Sequence, residues 1–193
     1  MQPNPQPRQT TYVQPVGVIP GLKSVIGQTG QQVNIALGGS DPDAYQILQI
    51  LDSLGQQFAR MPIIRESAVR IVGRASDNDT SEQLRTILEF IRNNVKYVRD
   101  PSGSEYVISP LRMLQQIASG GYSQGDCDDH VLLFNSLVGS LGFAVRPVGV
   151  HLYSQSVFDH VISQVMYNSR WIDVDPCQKS GETPTYASKL VIQ

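Results

Sequence analysis

Two cysteines, three histidines and a scatter of aspartates are the residues of this 193-residue chain best suited to nucleophilic or acid–base chemistry. One of them stands out by position. Cys127 lies in Gly125-Asp126-Cys127-Asp128-Asp129-His130, just before the apolar run Val131-Leu132-Leu133-Phe134. A cysteine heading a buried helix meets unpaired backbone N–H groups and the positive end of the helix dipole. These favour thiolate by about 0.3–1 kcal/mol at a surface and up to ~2 kcal/mol when partly buried. A free thiol titrates near ~8.5, so a base is still needed to take its proton at neutral pH. A histidine can serve, and a carboxylate behind it fixes the tautomer and stabilises the imidazolium. His160 and Asp175 follow in that order. His160 opens one expected strand and Asp175 closes the next, so a hairpin between them sets the two side by side. Cys127, His160 and Asp175 are therefore the candidate catalytic set. Asp173 shares a strand face with Asp175 by alternation, so spacing alone does not separate them.

The residues around this set have plainer readings. Asp126, Asp128 and Asp129 suit the first turn of a helix, where carboxylates cap backbone N–H groups. Their charge opposes the dipole: two unit charges ~4 Å apart interact by ~1 kcal/mol in water and by ~4 at an effective dielectric of about 20. The flank is thus expected to push the thiol pKa up. With His130 and His160 the same cluster has poor spacing for structural zinc, and no metal or other cofactor is expected. His151 falls outside the set. Cys177, two positions after Asp175, reads as a spectator, with a redox-sensitive pairing to Cys127 as the alternative. Trp171 reads as core or pocket lining and Arg146 as a surface or structural residue. The Cys127 N–H is one candidate oxyanion donor, with Tyr122 and Gln124 as candidates for a second.

The elements that must hold these residues are legible in outline. Asp41-Pro42 starts a helix carrying Ala44, Ile47, Leu48, Leu51, Leu54 and Phe58 at helical spacing. Pro62 interrupts it, and a second helix spans 63–74. Ser76-Asp77-Asn78-Asp79 is turn chemistry, a third helix covers 81–95, and Ser109-Pro110 starts a fourth that ends at Gly120-Gly121. The run after Cys127 is apolar around most of its circumference, so it reads as a helix in the domain centre, stopped by Gly142. Residues 143–150, 160–167 and 171–174 read as strands, the last two joined at Asn168-Ser169-Arg170. Helices followed by a cysteine-headed helix and an antiparallel sheet make an α+β fold.

Composition bounds the function. Hydrophobic residues are 40% and charged residues 17%, so the bulk should fold as a globular domain. A net charge of −2 gives no general attraction to nucleic acid or anionic membranes. No run approaches the ~20 apolar residues of a membrane span. Residues 1–8 lack the basic-then-apolar pattern of a signal peptide, so synthesis in a reducing cytoplasm is the expectation. Residues 1–40 are rich in proline and glutamine and read as an extended segment, either a disordered tail or an arm that orders on assembly, with 41–193 as the domain. The pieces Val16-Gly17-Val18-Ile19 and Val33-Asn34-Ile35-Ala36-Leu37 are its candidates for docking onto a partner.

The segments Gly125-Asp-Cys127-Asp-Asp-His, Gly142-Phe-Ala-Val-Arg146-Pro-Val, Asp159-His160-Val and Trp171-Ile-Asp-Val-Asp175-Pro176 together resemble the transglutaminase-like superfamily. The likeness is greatest to short bacterial and phage members that share the GDCDD opening. Tyr97-Val-Arg-Asp100-Pro101 and Ser109-Pro110-Leu-Arg-Met-Leu also look like that subgroup, and the resemblance runs over about residues 80–176. It implies a papain-like core with nucleophile Cys127, general base and acid His160, and orienting residue Asp175, the last favoured over Asp173 because it precedes the proline. It further implies thiol acyl transfer on peptide or isopeptide bonds of a protein or peptide substrate, to water or to an amine. No calcium loop is evident, so calcium control is not expected. The alternative is a phage virion or assembly protein that keeps the fold for its surfaces and uses the 1–40 arm to contact other structural proteins.

Overall fold

Proline, glycine and short polar residues divide the chain into its elements. The computed structural model describes residues 32–35, 41–73, 79–100, 105–152, 158–178 and 185–192. Helix α1 (Asp41–Ala59) begins at the Asp-Pro pair. Pro62 opens α2 (Pro62–Val72), and Gly73 ends it at φ +56°, a left-handed conformation that costs glycine little. Asp79 caps α3 (Thr80–Asn94), its carboxylate accepting from the Glu82 N–H at 3.0 Å. Residues 76–78 of the expected turn before it lie outside the described residues. Ser109 caps α4 (Pro110–Ala118), its hydroxyl accepting from the Arg112 N–H at 3.3 Å. Helix α5 (Cys127–Ser140) is the centre of the domain.

The strands are β1 (Gln32–Ile35), β2 (Val95–Tyr97), β3 (Glu105–Ile108), β4 (Ser123–Gly125), β5 (Val145–His151), β6 (His160–Tyr167), β7 (Arg170–Val174) and β8 (Ser188–Val191). The last four form an antiparallel sheet in the order β7-β6-β5-β8. Asn168 and Ser169 take φ +49° and +61° between β6 and β7, the twist that suits a two-residue hairpin. Two further pairs lie outside this sheet: β1 with β3, antiparallel, and β2 with β4, parallel. Within the 1–40 segment, then, Gln32–Ile35 pairs with the chain's own β3. Residues 1–31 and 36–40, including the Val16–Ile19 piece, lie outside the described residues. None of β2, β3, β4 and β8 is expected from sequence. Strands of three or four residues carry too little alternation to read, and their existence depends on a distant partner.

Val131, Leu133, Phe134, Leu137 and Val138 are fully buried, which explains why α5 is apolar on nearly every side. Helices α1 to α4 surround it, and β5 and β6 pack against its remaining face. Each such side chain contributes about 1.5–3 kcal/mol relative to exposure. Contact with α1 is close: a Cβ added at Gly139 would come within 3.2 Å of the Ala59 Cβ. Arg65 from α2 donates to the Ser140 carbonyl at 2.5 Å, satisfying one of the orphan acceptors at the C-terminal end of α5. The result is the expected α+β architecture, a cysteine-headed helix laid on an antiparallel sheet. No helix among the described residues is long and apolar enough to cross a membrane.

Candidate active site

The turn before α5 is held by its own carboxylates. Asp126 is the N-cap and accepts from the Asp128 N–H at 3.2 Å. Asp129 answers it: one oxygen accepts from the Asp126 N–H at 3.2 Å and the other from the Ile108 N–H on β3 at 2.6 Å. This is a capping box with a third tie to a neighbouring strand. The motif's glycine is explained by it, since a Cβ on Gly125 would lie 2.5 Å from the Asp129 Cβ. Gly125 also pairs with Tyr97 across β2 and β4, and its carbonyl accepts from the Val98 N–H at 2.9 Å. Burial pushes the Asp129 carboxyl up to about 8, against the two backbone bonds that favour its charged form. His130 Nδ1 lies 2.6 Å from the Asp126 carbonyl oxygen, a second tie on the same turn. Burial lowers the His130 pKa further than the carbonyls of Asp126 and Val95 raise it.

Cys127 is thereby placed at the first position of α5, partly buried. Its sulfur is 3.6 Å from Asp128 Oδ1. Burial raises the thiol well above its ordinary value, and Asp128, Asp126 and Cys177 push it the same way. The Val161 backbone N–H acts in the opposite direction and more weakly. Helix α5 packs against β6, the strand that His160 opens. The acidic flank therefore acts in the direction expected from sequence, with burial as the larger cause.

His160 and Asp175 meet as the hairpin predicts. His160 Nε2 lies 2.8 Å from Asp175 Oδ2, and both residues are buried. The other oxygen, Oδ1, accepts from the Cys177 N–H at 2.9 Å. Arg92 of α3 donates to the Asp175 carbonyl at 2.8 Å. With Nε2 engaged, Nδ1 is the ring nitrogen left for a thiol. Register separates the two aspartates. Val174 pairs with Ser163 and Asp173 with Gln164, so Asp175 continues to the level of Ile162, one pleat repeat nearer His160. Asp173 instead accepts from Gln164 Nε2 at 2.9 Å and pairs with Lys189.

The remaining expectations divide. His151 packs edge-on against Phe158, centroids 4.1 Å apart, outside the candidate set. Trp171 is not core: it is 36% exposed on β7, at the edge of the sheet among the described residues, with the Arg146 guanidinium 4.1 Å over its ring. The reason is that β7 has a neighbour on one side only, so alternation does not guarantee burial. Arg146 also donates to Gln164 at 2.9 Å, a structural tie across strands. Gln124 is exposed on β4, and Tyr122 lies beneath the Lys96 ammonium at 4.3 Å. Tyr97 pairs with Gly125, two residues before Cys127, and burial raises its phenol to about 12, with Cys127, Asp126 and Cys177 adding to the rise. Sequence reading takes it only as part of a family motif. Its pairing to Gly125 is a long-range signal that the sequence hides.

The profile of the transglutaminase-like superfamily matches residues 65–176, more than half of the chain. Among solved structures, one described provisionally as a cysteine protease from Cytophaga hutchinsonii is similar at a TM-score of 0.47 and 18% identity. The match covers 76% of this chain and 49% of that one, so this chain spans about half the other's length. Comparison with curated proteins returns no match. Cys127 and His160 both fall within the matched stretch, which ends one residue beyond Asp175, and the chain belongs to the transglutaminase-like superfamily.

Proposed function

We propose that this chain is a thiol acyl-transfer enzyme, a cysteine peptidase or cross-linking acyltransferase acting on peptide or isopeptide bonds. The observation that carries the reading is the buried His160–Asp175 contact at 2.8 Å, beside the helix that Cys127 heads. Cys127 is the nucleophile. His160 takes the thiol proton at Nδ1 while Asp175 holds Nε2–H and the ring orientation. The thiolate attacks the carbonyl carbon, His160 returns the proton to the leaving amine, and the thioester passes to water or to an amine. Arg92 and the Cys177 N–H position Asp175 rather than touch the substrate.

A second reading has one observation in its favour. Burial and the aspartate flank push the Cys127 thiol pKa up, as suits an assembly protein that uses the fold for its surfaces. The pH dependence of Cys127 alkylation in a Cys177→Ser background separates the two. A reactive thiolate well below pH 8 that disappears in His160→Ala supports the enzyme. A slow reaction indifferent to His160 supports the assembly protein and removes the acyl-transfer reading.

A further inference from the structure

Cys177 has no part in the proposed proton relay, yet its side chain lies inside the site. The ligating atoms of His160, Asp175 and Cys177 are all within 4.8 Å of one another. The turn after β7 makes this so: the Cys177 N–H is bonded to Asp175 Oδ1, and the same carboxylate reaches His160 through Oδ2. Cys177 is partly buried beside the buried His160 and Asp175, so the three side chains form a sheltered cluster at the end of the hairpin. Imidazole, carboxylate and thiolate on one centre are a ligand set suited to a borderline-soft divalent ion, and three protein ligands with an open fourth position are a recurrent zinc arrangement.

We propose that His160, Asp175 and Cys177 form a binding site for zinc, and that occupancy switches the thiol site off. Bond lengths of about 2.0–2.3 Å place tetrahedral donors roughly 3.3–3.6 Å apart, so small rotamer adjustments of about 1 Å close the cluster. The ion takes the place of the hydrogen bond between Nε2 and Oδ2, and water fills the fourth position. The Cys177 thiol gives up its proton to solvent, and the sulfur, Nε2 and a carboxylate oxygen each donate a lone pair. A neutral His160 keeps one proton, which moves from Nε2 to Nδ1. An imidazole with Nδ1–H cannot accept the Cys127 proton, so the base is blocked although the Cys127 sulfur is untouched. The binding site needs only the three side chains; its inhibitory consequence rests on the acyl-transfer reading.

Cobalt(II) is a spectroscopic probe for such a site. Titrated under reducing, anaerobic conditions, the full chain should develop a thiolate-to-cobalt charge-transfer band saturating at one ion per chain. Cys127→Ala should keep the band and Cys177→Ser should lose it while retaining its circular dichroism spectrum. In Cys127→Ala, zinc should also slow alkylation of Cys177 at least ten-fold. These readouts involve no catalysis, so they stand or fall apart from the function of Cys127. No band in the wild-type chain, or no protection of Cys177, would overturn the site. So would a band that survives Cys177→Ser and vanishes in Cys127→Ala, which would put the ion on Cys127 and its flanking aspartates.

Discussion

His160 Nε2 and Asp175 Oδ2 are 2.8 Å apart across the end of the β6–β7 hairpin, with Asp175 held from its other oxygen by the Cys177 N–H. Both oxygens of that carboxylate are thus committed. Asp175→Ala should cut turnover by about 10²-fold or more, because the ring loses its orientation. Asp175→Asn should fall between, since its amide can serve only one of two N–H donors. Asp173→Ala, whose carboxylate faces Gln164 and Lys189, should stay within a few-fold of wild type. Steady-state rates on an acyl substrate check all three.

The flank of the thiol offers a gain rather than a loss. Asp128 is the first charged contributor to the raised Cys127 pKa after burial, and its oxygen lies 3.6 Å from the sulfur. Asp128→Asn should lower that pKa. At a pH below the pKa the alkylation rate follows the thiolate fraction, which grows about ten-fold each time the pKa falls by one. A several-fold faster reaction with iodoacetamide at pH 7 is expected. An unchanged rate would mean that the Asp128 charge does not reach the thiol.

Gly125 should tolerate no side chain. A Cβ there meets the Asp129 Cβ at 2.5 Å, and Asp129 is bound to two backbone N–H groups, so it cannot easily yield. Gly125→Ala should destabilise the domain by about 1–3 kcal/mol, the usual cost of overpacking. Thermal or urea denaturation measures it, with Gly120→Ala, where nothing lies within 4 Å of the added Cβ but φ is +87°, as a test of the backbone cost alone.

Asp129 should also mark the pH dependence of stability. Its pKa rises from 3.8 to about 8 on folding, chiefly by burial. A carboxyl that holds its proton more tightly when folded contributes stability fully below its unfolded pKa. That contribution is lost as pH rises through the folded value. Between pH 4 and pH 8 the wild-type chain should therefore lose up to a few kcal/mol that Asp129→Asn does not lose. Denaturation of both proteins across that range shows it as a difference in slope.

Much of the site is local in origin and so was legible without coordinates. Cys127 at a helix start follows from a capping sequence followed by an unbroken apolar run. His160 and Asp175 come together because two strands joined by Asn168-Ser169 must pair, and the α+β order follows from the change of period after Gly142. What tertiary structure alone decided depends on partners far away in the chain. Register, set by β6 against β7, placed Asp173 on Gln164 and Lys189 and Asp175 on His160, the aspartate that the following proline already favoured. The parallel pairing of β2 with β4 brought Tyr97 to Gly125, two residues before the thiol, and α3 supplied Arg92 to the Asp175 carbonyl. Trp171 stayed exposed because β7 is an edge. Cys177 entered the site because the turn after β7 folds its N–H onto Asp175. Capping, periodicity and turns act over a few residues and leave their mark in sequence. Pairing register and burial are set by the sum of many distant contacts, which no short stretch of residues records.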